Sequence, residues 1–457
     1  MKEKKIPTVS FFSFLKHASK IVKNPLPFHH HNFEAKGDTF RLKLGAKNSV
    51  VFSRNPEFAL YALQKNQRNY TKSKIQTKDL SKYVGKGLLT SEAELWKKQR
   101  RLIQPAFHKK QLEQLLDTVL EAIQTEVQHI TPNTPIDIFP ILNDLAFQTV
   151  VKALFRTEID VKVIKRLQHI TEAAQQMLVK ELRQPFKTLY FKYGGPIQKH
   201  IDLTIEARDI LKGLVDARRA SGKRQNDLLD MLLDARYEDG TAMEEAQLLD
   251  EILILFVAGH ETTSNALTFT LQLLAKYPNI QEKVYKECAG FGEDSAGVYA
   301  EQSRSTKADT TALLAYIKHC EYTKQVIEES MRLYPPAYFI DRLNIEEDVF
   351  DGITIPKGSN LLFSVIEIHK HRDFWEDPHR FNPDRFADNA GMKHKAYFPF
   401  GAGPRMCIGN NFAMYEMILA VTEIIKKYKI KQKETPIEIK PLITLKPQNA
   451  ILEFIPR

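Results

Sequence analysis

Near residues 38 to 53, in "GDTFRLKLGAKNSVVFS", apolar and polar residues alternate, and this period of two predicts a β-hairpin. From about 56 to 280 the pattern becomes helical, broken by short punctuation such as "KYGGP" and "RASGKRQND". One helix is expected to end at Asp239-Gly240. A very long one follows from about Glu244 to Lys276, and Pro278 stops it. "CAGFGEDSAGVYAEQSRSTKADT" reads as loop, and a single helix is expected from Leu313 to Leu333, ending at "YPP". Residues 337–370 carry β-type patterning, with turn chemistry in "DGITIPKGS". After Gly409 a helix is expected to about Tyr428, then short strands. The pattern predicts a mainly α protein with a small β region: an N-terminal extension over 1–34 and one domain over 35–457.

Composition narrows this picture only a little. With 43% apolar and 27% charged residues, the chain is ordinary for a soluble globular protein. The N-terminal patch "FFSFL" is too short to span a bilayer, and basic residues interrupt it, so an interfacial anchor is the lesser reading. The apolar run Ile252 to Gly259 is flanked by Asp250, Glu251 and Glu261 and reads as a buried helix. A cytoplasmic location without stable membrane insertion is expected. Three cysteines cannot form a disulfide framework and suit a reducing compartment. The triple histidine His29, His30 and His31 is expected in a solvated loop and not at a metal.

The net charge of +10 gathers in "WKKQRR", "FHKKQ" and "GMKHKAY". Nothing matches a nucleic-acid module, so these clusters are either a solvated surface or a docking face for an acidic protein.

Cys407 stands apart, in "FPFGAGPRMCIG". Glycines on both sides imply a tight turn and a close approach to something. Arg405 supplies positive charge that could favour a thiolate or pair with a ligand carboxylate. The helix expected after Gly409 directs its positive end toward the sulfur. With no second cysteine or histidine nearby, structural zinc is disfavoured. An axial thiolate on haem iron fits.

The stretch resembles the cysteine signature FxxGxRxCxG of the cytochrome P450 family, through Phe400, Gly403, Arg405, Cys407 and Gly409. "AGHETT" resembles the family's oxygen-activation motif. The resemblance implies that Thr262 hydrogen-bonds the oxygen being activated, that Glu261 relays protons, that Gly259 opens a groove over the haem, and that Ala258 beside it contacts the cofactor. Taken alone, a threonine in a helix can simply back-bond to its own helix. "EESMRLYPP" and "FNPDRF" imply a bracing network of Glu329, Arg332 and Arg385. Trp96 and Arg100 in "WKKQR", with Arg342 and Arg405, are the implied contacts of the haem propionates. The implied fold holds haem b between the long central helix and the helix after the cysteine.

The activity implied is hydroxylation of a small organic substrate with dioxygen, by a monomer fed electrons by a ferredoxin or flavodoxin and its reductase. Lys97, Lys98, Arg100, Arg101 and Lys393 would form the docking face. The alternatives are O-demethylation of a methyl ether such as a methylated sugar, a peroxide-driven peroxygenase, and a non-catalytic haem sensor. By analogy the pocket would draw on Phe256, Val257, Tyr338 and Phe339, with lysines of "YTKSKIQTKDLSKYVGKG" facing either a polar substrate or solvent.

Overall fold

The computed structural model describes residues 4–45, 49–156, 159–291, 310–432 and 436–457. At its centre lies the helix Glu245–Lys276, thirty-two residues long. Its one glycine, Gly259, is its one strong helix breaker. The helix stops at Tyr277 (φ −122°, ψ 76°), because the residue before Pro278 is pushed out of the helical region. Pro278 then opens the next helix, Pro278–Gly290.

Three helices pack around this axis: Phe139–Leu154, Glu321–Leu333 and Asn410–Lys427. Leu267, Leu271 and Leu274 meet Val421, Ile424 and Ile425 in one apolar cluster, and every one of these side chains is buried. A second cluster joins the first half of the central helix, through Leu248, Ile252 and Phe256, to Phe147, Leu154 and Leu211. Each such side chain contributes about 1.5–3 kcal/mol on burial.

A six-stranded sheet lies to one side, in the order Thr8–Val9, Thr39–Lys43, Ser49–Ser53, Asn360–Ser364, Phe339–Asn344, Tyr70–Thr71. The expected hairpin is present, with Thr39 opposite Ser53 and Lys43 opposite Ser49. The mainly α architecture with a small β region is the observed one.

Several local expectations differ. The helix predicted to reach Asp239-Gly240 ends at Asp234, and a turn closed by an Arg236–Ala242 bridge follows. The helix predicted from Leu313 to Leu333 is two, Thr310–His319 and Glu321–Leu333, broken where Cys320 leaves helical geometry (ψ 53°). Most of the predicted loop, 292–309, lies outside the described residues. The triple histidine is not a loop but part of the helix Leu26–Lys36. His29 is buried there against Phe52 and Phe339, and burial holds its pKa down at about 3.

Glu416 ties three helices together. It lies on Asn410–Lys427 and accepts from the Thr149 hydroxyl and from Thr263 of the central helix. Burial pushes its carboxyl up to about 8. A carboxyl whose pKa rises on folding keeps its proton longer in the folded state, so its contribution to stability falls as pH rises through that interval. Glu416→Gln, which cannot ionise, should therefore flatten the loss of stability between about pH 4.5 and 8. Urea midpoints at several pH values will show this; a slope equal to wild type would refute it.

Candidate active site

Cys407 sits in a turn between Phe400 and the helix that starts at Asn410. Its backbone N–H donates to Phe400 O at 2.9 Å, which folds the intervening residues into a loop. Gly401 and Gly403 both have positive φ (74° and 72°). At Gly403 a Cβ would lie 1.9 Å from Leu63 O, so this turn admits no side chain. The Cys407 side chain is exposed at the local surface, yet protein surrounds it at longer range. Burial pushes its thiol up, while the Gly409 backbone and the Arg100 charge pull it down. The cation near the sulfur is thus Arg100, not Arg405. Arg100 donates to Met406 O at 2.8 Å.

Arg405 turns away from the sulfur. It pairs with Glu92 at 2.7 Å, and its guanidinium lies 5.0 Å from the centre of the Trp96 ring. Arg342 is buried, and burial brings its pKa down to about 10. A third cation joins them that sequence reasoning missed. Lys72 is buried, donates to Leu88 O and Ser91 O at 2.8 Å each, and lies 6.0 Å from the Trp96 ring centre. Burial first, then the Arg405 and Arg342 charges, hold its pKa down at about 7 against the pull of Glu92. Nothing in "NYTKSK" marks this lysine, because its acceptors come from residues sixteen and nineteen positions on.

Lys72 also depends on how the segment after it is held. The Leu88 N–H donates to Glu251 and the Lys86 N–H to Asp250, both on the central helix. At Gly87 a Cβ would lie 2.7 Å from the Glu251 carboxyl, so the glycine permits this close approach.

The central helix is buried along most of its length, with a gap midway. Leu255, Ala258, Gly259 and Thr262 are partly or fully open, and their spacing places them on one face. Leu255 borders the same apolar cluster as Ile408, the neighbour of Cys407, and Phe412 and Tyr415 of the following helix. Gly259 has a packing reason as well, because a Cβ there would lie 2.8 Å from Val150.

Glu261 and Thr262 are adjacent in sequence but do not act side by side. The Thr262 hydroxyl back-bonds to Ala258 O at 2.8 Å. Glu261 turns toward the C-terminal hairpin, Glu438–Pro441 paired with Leu445–Gln448, and accepts from the Thr444 hydroxyl at 2.9 Å. Its carboxyl lines a polar groove of about 650 Å³ with Glu172, Gln175 and Lys446, and burial raises its pKa.

Glu329, Arg332 and Arg385 come together. Arg332 forks onto Glu329 at 2.6 and 2.8 Å, and Arg385 reaches it at 3.2 Å. Arg332 also donates to His369 O and Pro378 O, both at 2.8 Å. His369, unnoticed in the sequence, then accepts the Phe398 N–H on Nε2 at 2.7 Å. Burial keeps its imidazole neutral, with a pKa near 3. The buried network therefore reaches the start of the cysteine loop through one histidine.

The expected pocket residues fare differently. Phe256 is not on the open face: it is fully buried against Phe147 and Phe155. Tyr338 is buried and donates to Leu442 O at 2.7 Å. Phe339 packs on His29 and Phe52. Val257 sits beneath the 71–91 segment with Leu80 and Tyr83. Lys97 and Lys98 are exposed, Arg101 pairs with Glu238, and the side chain of Lys393 lies outside the described residues.

The cytochrome P450 family profile matches residues 5–454. The chain belongs to the cytochrome P450 family. Among similar proteins, the cyclooctat-9-en-7-ol 5-monooxygenase of Streptomyces melanosporofaciens is 28% identical over 421 residues, covering 91% of this chain and 87% of that one. The pentalenene oxygenase of Streptomyces avermitilis is 26% identical over 416 residues, covering 91% and 88%. The crystal structure of the cytochrome P450DA heme domain shares the fold, with a TM-score of 0.84 at 19% identity, covering 100% of this chain and 99% of that one.

Family membership implies a haem–thiolate cofactor, and the residues present fit one. Glu92 and Asp341 offset only part of the charge of Lys72, Arg342 and Arg405, and Arg405 Nε is buried without a hydrogen-bond partner. Excess buried positive charge with an unsatisfied donor suits a ligand bearing carboxylates. The Gly403 turn presents a single sulfur, that of Cys407, which would hold the haem iron.

Proposed function

We propose that this cytochrome P450 binds haem b and hydroxylates a C–H bond of an apolar, terpenoid-sized substrate, using electrons from a separate ferredoxin or flavodoxin. The observation that carries the proposal is Leu255 of the open helix face, which borders the same apolar cluster as Ile408, the neighbour of Cys407. Two of the relatives are named for pentalenene and cyclooctat-9-en-7-ol, which favours an apolar ring system. The lysines of the 71–91 segment give no argument for a polar substrate. Lys74, Lys78 and Lys86 are exposed and Lys82 pairs with Glu181, which leaves Lys72 with the propionate cations.

In this reading Cys407 holds the iron, and Trp96, Lys72, Arg342 and Arg405 hold the propionates. When bound, the haem supplies the oxygen-activating chemistry. The protein orients substrate along Leu255 and Ala258, while Thr262 presents its hydroxyl from the same face. Glu261, whose raised pKa keeps its proton to higher pH, carries protons inward from the polar groove. Electrons would arrive on the cysteine side. A groove of about 1060 Å³ there is lined by Met406 and Asn410, by Lys109, Lys318, Lys324 and Lys395, and by Glu113, Glu321, Glu328 and Asp388. Its own charge is mixed, so the case for an acidic carrier rests on the exposed Lys97 and Lys98.

The haem-loaded protein should be titrated with terpenoids, fatty acids, carotenoids and methyl ethers, including methylated sugars, while haem absorption is followed. A low-to-high-spin shift and an alcohol product with a terpenoid support the proposal. A shift confined to methyl ethers, with formaldehyde released, would replace it with O-demethylation. Glu261→Gln should leave the spin shift and melting temperature unchanged and slow turnover about a hundred-fold. Unchanged turnover would remove Glu261 from the proton route.

A further inference from the structure

Building on the assignment of Lys72 to the propionates, we propose that haem binding draws a proton onto this lysine and so makes haem retention fall as pH rises. The ammonium form of lysine has three N–H donors, whereas the neutral amine has two. Around Lys72 Nζ the protein supplies two acceptors, Leu88 O and Ser91 O, at 2.8 Å each. Both are uncharged backbone carbonyls, and together they satisfy the neutral amine. The third N–H of the ammonium has no acceptor among the described residues. Glu92, the acid beside it, is engaged elsewhere. One of its oxygens takes the Lys72 backbone N–H, and the other takes the Arg405 guanidinium at 2.7 Å.

The two carbonyls are held in place. The Ser91 N–H donates to Gly87 O at 2.8 Å, and the Thr90 hydroxyl to Gly85 O at 2.6 Å. The Leu88 N–H is fixed to Glu251 of the central helix at 2.9 Å. Lys72 itself is only 7% exposed, so solvent is a poor substitute for the missing acceptor.

The surrounding charges do not restore the proton. Arg405 from the cysteine loop and Arg342 from the strand Phe339–Asn344 oppose a third cation, while Glu92 and Glu251 favour it. Burial raises the Glu251 pKa to about 7, so its own negative charge is only partial near neutrality. Burial of the amine and the two arginines prevail, which is why Lys72 titrates near 7. A carboxylate beside Nζ supplies both the missing acceptor and an opposite charge, and both favour the ammonium. Well below pH 7 the lysine already holds its proton, and haem binding takes up none. Above that the proton must come from solvent, so affinity falls by up to about ten-fold per pH unit until the bound lysine titrates in turn.

The test follows how much haem the full, haem-loaded chain keeps against excess apomyoglobin, from about pH 6 to 9. Comparing variants in the same mixture cancels the pH dependence of the competitor. Between about pH 7 and 9, wild type should lose about ten-fold in retention relative to Lys72→Arg, whose charge is permanent. Lys72→Met should retain less haem at low pH, and wild type should converge on it as pH rises. If the arginine does not fit, this convergence decides alone. Arg405→Gln should weaken retention but keep the decline, moved to higher pH because a cation opposing Lys72 is gone. Melting temperatures serve to check that each variant is folded. A decline in Lys72→Met identical to wild type would overturn the proposal and leave the arginines their role. Wild-type retention in Lys72→Met and Arg405→Gln alike would overturn the propionate assignment itself.

Discussion

Cys407→Ser is expected to abolish turnover, by at least about a thousand-fold, while the chain stays folded. A serine hydroxyl fits the same turn, whose shape is set by Gly401, Gly403 and the Cys407 N–H bond to Phe400 O. What it lacks is the chemistry. A hydroxyl does not ionise near neutral pH, and an oxygen does not push electron density as a thiolate does. A thousand-fold loss corresponds to about 4 kcal/mol of lost barrier reduction. The measurement has two readouts: product formation, and the spectrum of the reduced protein with carbon monoxide, which should lose its thiolate character. A variant that keeps both would show that Cys407 does not hold the iron.

The second large effect concerns stability. Arg332 and Glu329 are both fully buried, and Arg332 also satisfies carbonyls of His369, Pro378 and Arg380. Arg332→Ala leaves a buried carboxylate with Arg385 as its remaining cation and strands those carbonyls. Breaking such a pair by removing one partner costs about 3–5 kcal/mol. Urea unfolding should show this loss, and Arg332→Lys should recover only part of it, since an ammonium cannot fork onto two oxygens. Because His369 connects this network to Phe398, haem retention should fall along with stability. A loss below about 1 kcal/mol would mean that solvent reaches the site and the network is not a brace.

Much of this arrangement was legible in the sequence wherever the signal is local. The central helix announces itself by its periodicity and its bounding Pro278, and the hairpin near 38–53 by alternation. The glycines around Cys407 mark a turn whatever lies beyond it. Legibility fails where a residue's environment is made by remote segments. Lys72 looks like a solvated lysine until Leu88 and Ser91 close over it. His29 looks like part of a polar loop until Phe52 and Phe339 cover it, the latter more than three hundred positions away. His369 gains its meaning only from Phe398. Phe256 shows the opposite error. Family analogy suggested the pocket, but one step along a helix rotates a side chain by about 100°, here into the core.

The same rotation separates Glu261 from Thr262. One faces a polar groove closed by the C-terminal hairpin, and the other shares a face with Leu255 and Ala258. A catalyst built this way has two doors instead of one. Changes that widen or reshape the apolar door leave the acid behind the other untouched. With Glu261 in its proposed role, substrate range can drift, or be engineered, without re-solving proton delivery each time.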